Sequence, residues 1–236
     1  GGPTMIAVLL LVAVLLLVRN SLRHLKKSKE IKAEDSLNRS ESKSVTGVIE
    51  ESADNISKVL KRVSKINENT INGLIKQDLS MLKKAKNTVV KLEDEIEDLQ
   101  NNIFYFIKNL DESSVSASKF YIDVIGDLQD IAQSVSFISK VSHKHINNNH
   151  KGLKVNQAKE LKEIDEKLKH LFGKIRNIFD SRSFGEIASI IEEKQGLLND
   201  VSLYAQKQVE RTRTIESSPK NTTLYFSILL ETEDLI

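Results

Sequence analysis

The sequence predicts an all-α chain in which a partial transmembrane helix precedes two consecutive three-helix bundles. Three observations carry that expectation. Residues Met5–Val18 form an unbroken apolar run, the rest repeats apolar residues at the helical period, and only 2 prolines and 9 glycines interrupt 236 residues. With 29% charged residues and few aromatics, this composition favours long helices over a strand-and-turn fold.

The apolar run holds 14 residues, 11 of them Leu, Val or Ile. At helical rise it covers roughly 21 Å, short of the roughly 30 Å of bilayer hydrocarbon. A signal peptide needs a basic region before its apolar stretch and a small-residue cleavage site after it. Here Gly1-Gly2-Pro3-Thr4 precedes and Arg19-Asn20-Ser21-Leu22-Arg23 follows. A buried soluble helix would carry some polar face, and Met5–Val18 has none. The expectation is the end of a membrane helix, residues 1–18, in a chain cut from something larger at both ends.

Charge sets the orientation. Residues 19–32 hold Arg19, Arg23, Lys26, Lys27, Lys29 and Lys32 against Glu30 alone. Such clusters stay on the cytoplasmic side of a membrane segment. Anionic lipid headgroups are the expected partners of Arg19, Arg23, Lys26 and Lys27. Residues 19–236 are therefore expected in the cytoplasm, against the inner membrane. The chain has no cysteine, which excludes a disulfide scaffold and thiolate metal sites.

Residues 19–51 read as a basic juxtamembrane segment and a polar, serine-rich linker. The helical period then yields six segments. The first, about 52–76, carries Ile56, Val59, Leu60, Val63, Ile66, Ile71, Leu74 and Ile75, and Gly73 weakens its end. The second, about 78–110, steps by threes and fours through Leu79, Leu82, Ala85, Val89, Leu92, Ile96, Leu99, Ile103, Phe106 and Leu110. The third, about 114–146, opens at Ser113-Ser114 and runs through Phe120, Val124, Leu128, Ile131, Val135 and Ile138. Its stop is Asn147–Gly152, where Asn and Gly tolerate positive φ.

The fourth segment, about 156–180, aligns Leu161, Ile164, Leu168, Leu171, Ile175 and Ile178. The fifth, about 184–214, places Ile187, Ile190, Ile191, Leu197, Leu198, Val201 and Ala205 on its buried side. The sixth starts at Pro219, a residue suited to a first helical turn. Repeated stops argue against one long coiled coil, and short turns make neighbours antiparallel. The expected units are a first bundle over 52–150 and a second, C-terminally truncated, over 151–236.

Little here points to chemistry. A net charge of +2 from 35 basic and 33 acidic residues argues against nucleic-acid binding, which needs a basic surplus. His143, His145 and His150 cluster, but 143 and 145 point about 200° apart on a helix. They suit a helix C-terminus, where basic side chains meet the negative end of the dipole. Asp123 and Asp127 share a helix face at i, i+4, the best carboxylate pair for a metal or for acid–base work, although a solvated acidic stripe uses the same pattern. No phosphate loop, nucleophile set or H-E-x-x-H stands in the chain. Neither a catalytic group nor a cofactor is expected.

Against this background Gly126-Asp127-Leu128-Gln129-Asp130-Ile131-Ala132-Gln133-Ser134 resembles the D-L-E-R-I-G-D stretch of the PhoU family of bacterial phosphate-signalling regulators. Residues 142–153 (SHKHINNNHKGL) and 223–231 (TLYFSILLE) resemble the C-terminal PhoU-like region of bacterial PiT-type inorganic phosphate transporters. The resemblance implies a PhoU-like regulatory domain following the last membrane helix of a phosphate symporter, with the transporter's own membrane domain or a second copy as partner. It also implies regulatory or partner-binding roles around His145, Asn149, His150 and Lys151. PhoU proteins ligate metal clusters through E/D-x-x-x-D. Here Gln129 and Gln133 fall on those positions in the first bundle, and Glu231 and Leu235 in the second. Asp123-x-x-x-Asp127 restores the spacing earlier on the same helix. Two other readings remain: a membrane-tethered scaffold gripping a partner helix along an exposed seam at 79–110, and a metal-binding phosphate-signalling module.

Overall fold

The computed structural model describes residues 45–108, 115–181, 186–214 and 218–236. The apolar run, the basic residues Arg19, Arg23, Lys26 and Lys27, and the Ser113-Ser114 cap lie outside them. Six helices and no strand occupy the described residues: α1 Val45–Lys76, α2 Leu79–Lys108, α3 Val115–Asn147, α4 Val155–Ser181, α5 Ile187–Thr214 and α6 Pro219–Leu235. None of these helices is long and apolar enough to cross a membrane. The all-α expectation holds, and the helix boundaries fall close to those read from the period. The largest difference is α1, which starts at Val45 rather than near Ser52, because Val45–Glu51 contains no proline to stop it and Val48 and Ile49 continue its apolar spacing.

Each seam buries as its spacing dictates. On α2, Leu82, Ala85, Val89, Leu92, Ile96, Leu99 and Ile103 are at most 4% exposed, and on α4 the whole row from Leu161 to Ile178 is buried with Phe172 beside it. Two seam expectations fail. Leu79 sits on the first turn of α2 and Ile191 lies off the core side of α5, and both are exposed. Phe106, Phe120 and Val124 have side chains outside the described set.

The helix neighbours define the architecture. α1, α2 and α3 pack against one another, α4 packs on α5, and α5 packs on α6. Two further contacts, α1 with α4 and α3 with α6, join these sets. One continuous apolar core results, running from Ile56 of α1 to Ile236.

Two turns are built alike. At the end of α1, Gln77 adopts φ 52°, its N–H donates to the Leu74 carbonyl at 3.3 Å, and the Asp78 N–H donates to the Gly73 carbonyl at 2.8 Å. That is a Schellman stop. Asp78 then caps α2, its Oδ1 accepting from the Met81 N–H at 3.1 Å. Gly73 suits this close approach, because a Cβ would stand 3.0 Å from the Leu82 side chain and press it aside.

The α1–α4 contact contains a polar pair in an otherwise apolar seam. Asn67 is 3% exposed and Asp165 5%, and Asn67 Nδ2 donates to Asp165 Oδ1 at 2.7 Å. Asn67 Oδ1 is buried with no partner. Burial pushes the Asp165 carboxyl up to about 6, with Glu68 and Glu166 adding to the rise while Asn67 and Lys169 oppose it.

Folding therefore takes up a proton between the unfolded value of 3.8 and about 6. Stability is greatest below that window, declines as pH rises through it, and stays reduced above it, by at most about 3 kcal/mol. Asp165→Asn removes the charge and supplies the donor that Asn67 Oδ1 lacks. Thermal unfolding followed by circular dichroism should show the variant more stable at pH 7.5 by about 1–3 kcal/mol. The parent's decline between pH 4 and pH 6 should be shallower in the variant. An equal slope in both proteins would rule this pair out as the source.

Candidate functional site

The C-terminus of α3 builds the most distinctive site. Asn149 takes φ 59°, its N–H donates to the Ile146 carbonyl at 3.0 Å, and the His150 N–H donates to the His145 carbonyl at 3.2 Å. This is a second Schellman stop, with Asn in the left-handed position that asparagine tolerates better than most residues. The turn brings His150 back over the last turn of α3, its ring centroid 5.2 Å from that of His145.

Each imidazole is held by a different partner. His145 is 6% exposed, and its Nε2–H donates to the Lys151 carbonyl at 2.6 Å. The His150 Nε2 accepts from the Lys220 ammonium at 3.2 Å, an arrangement that requires a neutral ring. Burial, then Lys220, then His145 hold His150 below the ordinary histidine range. His143 faces the other way, where burial and then Lys86 and Lys83 of α2 lower it as well. The expected divergence of 143 and 145 is thus what the helix delivers.

These groups line a groove of about 430 Å³ between α3 and α6. Lys144, His145 and His150 stand on one side, and Lys220, Thr223 and Ser227 on the other. Among the described residues no carboxylate lines it. The first turn of α6 opens at one end, and Ser218 makes no side-chain cap bond there. Backbone N–H groups at a helix start and two lysines make the groove electropositive. It suits a carboxylate or another anion on a partner. It suits a metal ion poorly, because His150 would have to give up its Lys220 hydrogen bond and two lysines repel a cation there. Among the described residues no group of three or more His, Cys, Asp or Glu is placed to hold a metal.

The sequence-derived site residues fare unequally. His145, Asn149, His150 and Lys151 come together in one turn. Asp127 is half-buried on α3, about 27 Å of helix rise from His145. The Asp123 side chain lies outside the described set. Gln129 and Gln133 are exposed, Glu231 is half-buried, and Leu235 is fully buried.

Beneath the groove lies a polar network that periodicity alone does not find. Asn221 Nδ2 donates to the Gly152 carbonyl at 3.1 Å, and Gln157 Nε2 donates to Asn221 Oδ1 at 2.8 Å and to Gln208 Oε1 at 3.2 Å. Arg211 donates to Gln208 at 3.0 Å and pairs with Glu160 at 2.6 Å. The Tyr225 hydroxyl donates to the same carboxylate at 3.0 Å, and Arg211 lies over the Tyr225 ring. Burial, and then the charge of Glu160, raise Tyr225 well above the ordinary phenol range. The network ties α4, α5 and α6 together and holds the turn after α3 at the Gly152 carbonyl.

No protein-family model matches the chain, and no match is found among curated proteins or solved structures.

Groove and network should separate on mutation. Glu160→Gln leaves Arg211 partly buried without its counter-charge and should lower stability by about 1–3 kcal/mol in urea unfolding. His150→Ala should change it by less than about 1 kcal/mol. A neutral Glu160→Gln would show that the network contributes nothing to holding α4, α5 and α6 together.

Proposed function

We propose that this chain is the cytosolic, non-enzymatic PhoU-like regulatory domain of a membrane inorganic phosphate transporter. In this reading α1–α3 and α4–α6 are the two bundles, and the groove between α3 and α6 contacts the permease. One observation carries the proposal. The two segments that most resemble the PiT-type region, 142–153 and 223–231, lie far apart in sequence yet form opposite walls of one groove, through Lys144, His145 and His150 facing Thr223 and Ser227. A shared binding surface built from both segments requires them to meet in this way. The apolar run at Met5–Val18 and its basic flank support attachment to a membrane.

Regulation follows by differential contact. A domain that packs better against one state of the permease shifts the balance towards that state by the difference in its contact energies. The groove offers lysine ammonium groups to acidic residues on a cytosolic loop, and the network beneath keeps its walls fixed. The scaffold reading requires an open seam on α2. That seam is spent inside the core from Leu82 to Ile103, so it offers no place for a partner helix.

The test is phosphate uptake by the intact transporter with and without residues 52–236, and with Lys144→Ala plus Lys220→Ala. Deletion should change the uptake rate or its dependence on external phosphate by about fivefold or more. The double variant should reproduce part of that change at unaltered protein level. Unchanged rate, phosphate dependence and transporter abundance after deletion would overturn the regulatory role.

A further inference from the structure

A second electropositive groove lies on another part of the molecule, between α1 and α4. We infer that it binds an anion carrying closely spaced phosphoryl groups. The groove encloses about 740 Å³. Lys58, Lys61, Arg62 and Lys65 line it from α1, and Lys169 and Arg176 from α4. Both rows follow the helical period, at i, i+3, i+4, i+7 on α1 and at i, i+7 on α4. On α4 the positions between the cations are Phe172, which is buried, and Gly173, where an added Cβ would meet nothing within 4 Å. A side chain longer than hydrogen at 173 would project into open space.

Two carboxylates, Glu68 and Glu95, also line the groove. Glu95 is engaged by Arg62 at 2.6 Å. Glu68 is shared by Lys169 at 3.1 Å and Lys65 at 3.9 Å. Those three cations have partners, and the pairs hold their side chains along the rim. Lys58, Lys61 and Arg176 have no acidic partner among the described residues. Among the described residues, six cations against two carboxylates leave a surplus of four positive charges.

Ordinary solvated helix faces also carry lysines, but Arg176 departs from that pattern. Its Nε is buried and has no hydrogen-bond partner. Arg176 as a whole is half-buried, so its guanidinium is only partly hydrated, and an anion at its exposed edge interacts with it more strongly than with a fully solvated cation. The planar guanidinium matches two oxygens of one phosphoryl group, and lysine ammoniums act as point charges on a neighbouring one. A single orthophosphate leaves most of the volume and most of the charge unmet. Two or three linked phosphoryl groups, or an array of headgroups at a membrane surface, match both.

The site is independent of the α3–α6 groove, and its test does not depend on transport. The full 236-residue chain is placed in nanodiscs of phosphatidylcholine and titrated with tripolyphosphate, orthophosphate and sulfate at matched ionic strength. Tripolyphosphate should bind at least about tenfold more tightly than sulfate. Lys61→Gln plus Arg176→Gln should weaken that binding about tenfold or more. The control Lys140→Gln plus Lys162→Gln removes the same charge from exposed positions outside the groove and should leave it within about twofold. Circular dichroism verifies that both variants fold.

Repeating the titration in discs containing phosphatidylglycerol separates the sources. Binding that persists identifies a soluble polyphosphorylated ligand, and binding lost through competition identifies lipid headgroups as the occupant. Equal affinity for sulfate and tripolyphosphate, or equal losses in the groove and control variants, would overturn the site.

Discussion

Everything in this fold depends on how much of α1 is buried. Its apolar residues from Ile56 to Leu74 are at most 2% exposed, and Asn67 and Thr70 are buried among them. An arc that wide cannot be covered by one neighbour, and α1 accordingly packs against α2, α3 and α4. Burying Leu, Ile or Val contributes about 1.5–3 kcal/mol per side chain. Truncating the middle of α1 therefore removes partners from three helices at once. The second set of helices has no comparable centre. Its packing is supplemented by the hydrogen bonds that converge on Gln157 and Glu160.

The same period that buries one side of α1 places Lys58, Lys61, Arg62 and Lys65 on another. α4 is divided more sharply. One of its faces turns Lys169 and Arg176 towards α1, and another turns Glu163 and Glu166 towards Glu193 and Asp200 of α5. Lys167 bridges Glu163 at 3.3 Å and Asp200 at 2.5 Å, and Lys174 pairs with Glu193. Three of the four acids of the α4–α5 groove are thus tied to lysines, whereas the α1–α4 groove keeps cations without an acidic partner among the described residues. A net charge of +2 conceals this segregation, because composition averages over faces that a helix keeps apart.

How much of this was legible in the sequence depends on the range of the interaction. The seam of α2 and that of α4 follow from spacing, since a helix that presents Leu or Ile every three to four residues must cover them. The Asn149 stop follows from residue chemistry within a few positions. Leu79 and Ile191 misled because spacing assigns a residue to a face without saying whether a neighbour reaches it. The network around Gln157 was invisible for a different reason. Its long-range contacts join residues 51 to 69 apart, and a glutamine or glutamate at the edge of a seam reads as solvated until the helix that faces it is known. Arg176 is the same case, because nothing local to it indicates that its Nε loses water.

The Asn67–Asp165 pair and the basic groove occupy the same helix contact, and this links stability to charge at one interface. Glu68 belongs to both, since it raises Asp165 electrostatically and holds Lys65 and Lys169 at the rim. Ionised Asp165 weakens the association of α1 with α4, because a desolvated carboxylate has one amide for company. An anion spanning Lys61 on α1 and Arg176 on α4 would act in the opposite sense. It binds only when the two helices are in register, so its binding free energy adds to theirs. The contact that carries a destabilising group is also the one whose outer face is most suited to an external ligand.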